Sequence, residues 1–543
     1  MTRWLIAAVG ALAFAGAVHA GPGLADLVQA GQDTAALKMI ESGANVNVPQ
    51  GDGTTALDWA TYRLDVPLVK VLLAHGANPN LMNSLGSCPL GEAVRAANLQ
   101  LVKLLLKAGA YADEANPDGQ TPLMLAAHTG MVPIAKLLVS YGANVNVRER
   151  WRGQTALMWA AAQNHPEMTQ FLLRHGAKVN VREIYNDWLD RATQITSEPR
   201  AQYRPEGGLT ALLYAARSGC LGCVQALLKA GADVNKPTPN GFTPLITAID
   251  NFHFDVAKYL LQHGANPNIW DWYGRTPLYV AVDMTTYIER HDPSFKRDKT
   301  TGLDLVKMLL DMGANPNAQL DLHRPGRGGN SNRFTDDLLR TGCTPLLLAA
   351  LVHDTAAVKL LLQYGALVDL PNINGVTPLI AAAGIGESFG GLFGGRTDFS
   401  PPAEQQINAI HTVAILLKAG ANINARVTDT TSLTARIARA SSMMHRQGQT
   451  ALFGAISRDW PDLVRYLIQH GAKVNVADDM GRTPLMAAMH GAGGFHFGGV
   501  FKPNKQIVGL LIQAGAVERL ASSHRSTPTW PPVARRTTLA TVQ

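Results

Sequence analysis

The chain has 543 residues, 46% of them hydrophobic and 16% charged, a composition that forms packed cores and excludes a disordered chain. Such a length exceeds what one hydrophobic core usually organises, so several domains or one elongated array are expected. The formal net charge of +7 gathers in Arg426–Gln447 and Ser522–Gln543, each contributing +3, which argues against a nucleic-acid protein with a basic face throughout.

In chain order, the first element is the stretch MTRWLIAAVGALAFAGAVHA. One arginine precedes an apolar run from Leu5 to Val18, and small residues stand at Val18 and Ala20. This is the layout of an export signal, residues 1–20, cleaved after Ala20. The run is shorter than the roughly 20 residues of a membrane-spanning helix. No twin arginine precedes it, and Gly21 rather than cysteine follows the cut. The expected location is therefore periplasmic or extracellular. The four cysteines, Cys88, Cys220, Cys223 and Cys343, are too few to staple a chain of this size, so the core must stabilise it.

From Leu24 onward one pattern recurs. A Gly-Ala pair following an apolar pair or its equivalent appears twelve times, at Gly43, Gly76, Gly109, Gly142, Gly176, Gly231, Gly264, Gly313, Gly365, Gly420, Gly471 and Gly515. Eleven of them are preceded by a Gly-x-[TC]-[PA]-Leu motif, whose glycines run from Gly53 to Gly481. The unit Asp118–Arg150 is typical, with 33 residues. Thr121 can cap a helix and Pro122 suits its first position. Leu123, Ala126 and Ala127 give that helix a small apolar face. Ile134, Leu137 and Leu138 mark a second helix by their spacing, and Gly142 can end it in a left-handed conformation. No such unit can bury its apolar side alone, so neighbouring units must share a core.

This pattern, from about Leu24 to Leu520, resembles the ankyrin repeat. The resemblance implies an all-α solenoid of about twelve helix-turn-helix units joined by β-hairpin loops. The histidine usual after Thr-Pro-Leu is replaced throughout, by Asp58, Gly91 and Met124 in the first such units, so apolar packing is expected to hold more of the hairpin. Repeats 1–5 occupy 21–183, repeats 6–8 occupy 207–317, repeats 9–10 occupy 341–425 and repeats 11–12 occupy 448–521. Hairpin insertions fall at 184–206, 318–340 and 426–447, and interhelix insertions at 284–300, 385–406 and 491–503. A basic, proline-containing tail, 522–543, is expected to be disordered. Insertions in solenoids map to loops on defined faces, often the binding face, and here they concentrate in the C-terminal half.

Two interhelix insertions carry the words FGGLF, 389–393, and FGGVF, 497–501. Neither has the lysine and hydroxyl residue of a phosphate-binding loop nor a preceding strand. Phe389, Phe393, Phe497 and Phe501 therefore read as gap-filling or partner-contacting loop residues. Cys220 and Cys223 occupy an interhelix turn and the start of a second helix, as core thiols or as a local disulfide. His75, His175, His263 and His470 each precede a Gly-Ala, where they suit the last carbonyls of a helix. No ligand spacing for a metal and no catalytic motif is seen, and no cofactor is implied.

The resemblance implies a non-enzymatic scaffold that binds a protein partner through hairpin tips and first helices. Trp151, Trp270, Trp272 and Tyr273 fall at hairpin tips, where aromatic anchors serve binding hot spots. First-helix candidates are Tyr62, Arg95, His128, Arg217 and Asp250. Two alternatives stand beside this reading. One is a small-ligand or enzymatic site built from the insertions of repeats 8–12. The other is an envelope-associated structural protein touching an anionic surface through Arg426, Arg436, Arg439 and Arg446.

Overall fold

The computed structural model describes residues 22–186, 206–291, 298–321, 342–385, 402–428, 446–490 and 503–518. The Phe-Gly-Gly words, Arg436, Arg439, the export signal and the basic tail lie outside the described residues. The chain forms two compact units. The first holds repeats 1–7, ending at Asp271 with a short return at Arg297–Thr300, and the second holds repeats 8–12.

In the first unit, a first helix and a second helix alternate. The first helices are Leu24–Gln29, Ala56–Tyr62, Pro89–Arg95, Pro122–Thr129, Ala156–Ala162, Ala211–Ser218 and Pro244–Asp250. The second helices are Asp33–Glu41, Val66–Ala74, Leu99–Lys107, Val132–Ser140, Pro166–Arg174, Leu221–Lys229 and Phe254–Gln262. Each helix packs on its partner and on its counterpart in the neighbouring repeat. The shared core is built from residues such as Leu72, Leu105, Leu138, Leu172, Leu227 and Leu260, none more than 1% exposed. This is the all-α solenoid expected from the period.

The second unit repeats the scheme with Pro277–His291 and Gly302–Asp311, Pro345–Leu351 and Thr355–Gln363, Pro378–Ala382 and Pro402–Lys418, Ala451–Ser457 and Pro461–Gln469, and Pro484–His490 and Lys505–Gln513. Two of the interhelix insertions are entered by helix. Pro277–His291 continues into 284–300, and Pro402–Lys418 begins inside 385–406.

The missing histidine does not leave the hairpins to apolar packing. In most repeats the residue before the first helix caps it: Thr121, Thr155, Thr210 and Thr243 accept from the backbone N–H three residues on, and Cys88 does so through sulfur. Between repeats, one asparagine binds the next unit's backbone in both directions. Asn47, Asn80, Asn146, Asn180 and Asn235 donate from Nδ2 to the carbonyls of Gly76, Gly109, Gly176, Gly231 and Gly264 at 2.9–3.1 Å. Their Oδ1 atoms accept from the backbone N–H two residues beyond each of those glycines, at 2.7–3.0 Å. In the second unit Asn317, Asn424 and Asn475 do the same. Asp113 and Asp369 accept from the following unit at equivalent places. The first hairpin insertion opens as a short antiparallel ribbon, β1 (Tyr185–Asn186) against β2 (Glu206–Gly207).

One replacement at the histidine position is strained. Asp58 is 5% exposed. Its Oδ2 closes a capping box with the N–H and hydroxyl of Thr55, while Oδ1 has no hydrogen-bond partner among the described residues. Burial pushes its carboxyl above the usual value, and Glu92 and Asp52 add to the push. A carboxyl raised in the folded state favours folding below its unfolded pKa of about 3.9, and that contribution disappears as pH rises through the folded value. Asp58→Asn keeps an acceptor for Thr55 and removes the buried charge. The variant should gain about 1 kcal/mol at pH 7 and nothing at pH 3, read as melting temperature at both pH values. Equal gains at both would show that charge is not the cause.

Candidate functional site

The site is assembled on the hairpins and first helices of repeats 4–6 in the first unit. The hairpin Arg148–Gly153 is rigid because its polar groups are spent internally. The Glu149 carboxylate, 5% exposed, accepts from the backbone N–H groups of Trp151, Arg152 and Gln154 at 2.6–2.9 Å. Arg148 donates from Nε to the Gly153 carbonyl at 2.9 Å and from Nη2 to the Arg182 carbonyl at 2.8 Å, tying two hairpins together. Gly153 has φ +66°, and a Cβ there would meet Arg148 Nη2 at 2.6 Å and Ile184 at 3.0 Å; only glycine fits. Ile184 N–H closes the joint on the Arg152 carbonyl at 2.6 Å.

On this frame Trp151 stands 80% exposed, flanked by the exposed Arg150 and Arg152. Beside it Ile184 and Tyr185 are 50% and 52% exposed. Below the tip runs a buried polar chain. Trp159 Nε1 donates to Gln154 Oε1 at 2.9 Å, Gln154 Nε2 to Glu183 Oε2 at 3.0 Å, and the Tyr214 hydroxyl to the same oxygen at 2.6 Å. Burial, with Glu183 as the hydrogen-bonded neighbour, pushes the Tyr214 hydroxyl well above the usual tyrosine range, so it stays a donor. Along the first helices, His128 meets the edge of Trp159 at 5.7 Å between centroids, and Arg217 lies 4.9 Å over the Tyr214 ring.

Of the residues expected from sequence, Trp151, Tyr62, Arg95, His128 and Arg217 are exposed in the first unit, and Asp250 is half-buried. Arg95 is paired with Glu92. Trp270 is 61% exposed and ends the first unit; Trp272 is 37% exposed in the second. Tyr273 is a correction. It is 6% exposed, its carbonyl accepts from Asp321 N–H at 3.1 Å, and the Arg275 guanidinium lies 5.7 Å from its ring. Arg446 is another: it is 6% exposed, too buried to touch a flat surface. Arg426 is exposed but engaged, donating to the Gly448 and Ala477 carbonyls at 2.9 and 2.7 Å.

Arg150, Arg152, Ile184 and Tyr185 were not anticipated. The sequence RERWRG carried a signal for the first two, a tryptophan between arginines at a tip. Cys220 and Cys223 are joined as a disulfide, both at most 1% exposed. Cys220 also caps the second helix of its repeat, its sulfur accepting from Cys223 N–H. The four histidines before Gly-Ala bind the carbonyl four residues back through Nδ1 at 2.8–2.9 Å. Among the described residues, no group of three metal-ligating side chains is assembled and no helix is long and apolar enough to cross a membrane.

Known proteins share this architecture. The zebrafish (Danio rerio) putative palmitoyltransferase ZDHHC13 is 31% identical over 295 residues, 53% of this chain and 34% of that protein. The mouse (Mus musculus) B-cell lymphoma 3 protein homolog is 37% identical over 94 residues, 17% of this chain and 20% of that one. Mouse protein phosphatase 1 regulatory subunit 27 is 44% identical over 59 residues, 11% of this chain and 38% of that one. The chain thus spans well under half the length of each of these relatives. The family description "Ankyrin repeats (3 copies)" matches residues 24–116, 90–183, 212–320 and 403–517, and "Ankyrin repeat" matches 341–373. With most of its length covered and stacked helix pairs built to that plan within each of its two units, the chain belongs to the ankyrin-repeat family.

Proposed function

We propose that the protein is a non-enzymatic interaction scaffold, exported through the signal at residues 1–20, that grips a protein partner at the hairpin tips and first helices of its first unit. One observation carries this reading: Trp151 stands 80% exposed on a tip whose backbone is already fixed by Glu149 and Arg148. A large aromatic with little left to order is the economical form of a binding anchor. The guanidiniums of Arg150 and Arg152 on either side suit acceptors on the partner, and Tyr185 and Ile184 extend the apolar contact. The ankyrin-repeat relatives include a regulatory subunit of a phosphatase, and a repeat array offers the same kind of extended surface here.

The test is affinity capture from the exported fraction with the intact chain and with Trp151→Ala. A specific partner should be retained by the intact chain. Its affinity for the variant should fall by on the order of 30-fold, the cost of losing a hot-spot anchor, with the helical circular dichroism unchanged. A partner held equally by both proteins would place the grip elsewhere.

A further inference from the structure

We propose that the outer face of the first unit, formed by the second helices of repeats 2–7, docks on an anionic lipid bilayer surface. Those six helices carry seven cations, Lys70, Lys103, Lys107, Lys136, Arg174, Lys229 and Lys258, against two acids, Glu167 and Asp255. The oxygens of Asp255 are turned to the Lys299 and Thr300 N–H groups and the Thr300 hydroxyl at 2.7–3.0 Å. The ion pairs described in this unit, Arg63–Asp33 and Arg95–Glu92, use none of the seven. All but the half-buried Lys258 are exposed.

The second unit shows that this is no property of second helices in general. Its five second helices carry five cations and four acids, and two of those cations are neutralised locally as Lys307–Asp311 and Arg465–Asp462. In the first unit the repeat period aligns the charges instead. Lys70, Lys103, Lys136 and Lys258 are each the fifth residue of their helix, and Lys107, Arg174 and Lys229 each the ninth. With neighbouring helices about 8–10 Å apart, the first row runs about 45 Å across six helices and the second about 27 Å across four. At repeat 1 the face ends in Asp33 and Glu41 beside Lys38.

A bilayer fits this pattern better than a linear polyanion or a peptide. Six of the seven cations are lysines, flexible point charges that need no matched acceptor geometry. A lipid surface offers negative charge at every spacing, so all seven can be satisfied without a register. Single-stranded nucleic acid would call for aromatic platforms, and the exposed tryptophans of this unit, Trp151 and Trp270, stand on hairpins. Between the second helices of repeats 4 and 5 an open cleft of about 530 Å³, bordered by Lys136, Arg174 and His175 against the single acid Glu167, leaves room for a headgroup.

The experiment is sedimentation of the full chain with phosphatidylcholine vesicles containing 30 mol% phosphatidylglycerol, and with phosphatidylcholine alone. Binding should require the anionic lipid at low salt and vanish in molar salt. Lys70→Glu/Lys103→Glu/Lys136→Glu should weaken it on the order of 100-fold, because each basic residue near the surface contributes about fivefold. The corresponding Lys→Gln set should weaken it less, in the same direction, and guards against a folding defect. Lys359→Glu in the second unit and Trp151→Ala should bind like the parent, which separates this face from the partner grip. Three results would overturn the proposal: no sedimentation at low salt, an unchanged triple variant (binding then belongs to other basic segments), or a DNA oligomer bound while the vesicles are not.

Discussion

Replacing Phe453 with alanine is expected to lower the stability of the C-terminal end of the array by about 4 kcal/mol. Phe453 is fully buried and among the largest such side chains. Its helix, Ala451–Ser457, packs on its own partner Pro461–Gln469 and on Pro378–Ala382 and Pro484–His490 in the adjacent repeats. Stability in a repeat array is a sum of unit terms and nearest-neighbour interface terms, and this ring contributes to both. The loss should therefore be confined to repeats 10–12. Hydrogen exchange should accelerate in 451–457, 461–469 and 484–490 while the helices of the first unit keep their protection. Uniform acceleration throughout the chain would contradict nearest-neighbour coupling.

The second large effect is expected at Glu183. This carboxylate is 2% exposed and accepts from Tyr214 and Gln154 side chains and from Leu209 N–H. Glu183→Ala leaves the buried Tyr214 hydroxyl without its acceptor and takes one from the half-buried Gln154 amide and Leu209 N–H, at a cost of about 3 kcal/mol. Tyr214→Phe removes a donor without stranding the carboxylate's other partners, so it should cost about 1 kcal/mol. Urea denaturation of both variants checks the ordering. If Tyr214→Phe costs as much as Glu183→Ala, the chain of bonds is not what holds the ribbon's base. Because Ile184 and Tyr185 follow Glu183 directly, the alanine variant should also loosen the partner grip, whereas Asp58→Asn should not.

The fold was legible because its signals are local and repeated. Thr121 before Pro122, and Gly142 after Leu138, each state a helix boundary within a few residues, and the period makes the packing partner of every helix its neighbour in the next unit. What replaces the usual hairpin histidine was not legible, because the answer is distributed. Threonine caps, Glu149 at a tip and an asparagine 29 residues upstream of the glycine it binds share the task. Trp151 could be placed from its register alone. Tyr273 could not, because its place in the fold depends on residues far along the chain, with Asp321, brought back after the helix Gly302–Asp311, bonding the Tyr273 carbonyl. Arg446 failed for a similar reason: near the end of its insertion the chain turns inward and buries it. The sorting of lysines onto one face was hidden because the chain outside the two basic segments, 426–447 and 522–543, is nearly neutral, and charge composition is blind to the side of a solenoid on which each residue falls.

The asparagine bridge has a consequence for how such a chain can change its length. Each bridge grasps only main-chain atoms of the following module, so the bridge itself makes no demand on that module's side chains, which answer only to the shared core. Asn180 reaches Gly231 across 51 positions as well as Asn47 reaches Gly76 across 29. The bond is made across the longer span all the same, so the coupling between modules does not depend on the number of residues separating its two ends. Novel segments can thus be spliced into this protein without renegotiating its joints, and the insertion sites are where evolution, or an engineer, can write new surface at little structural risk.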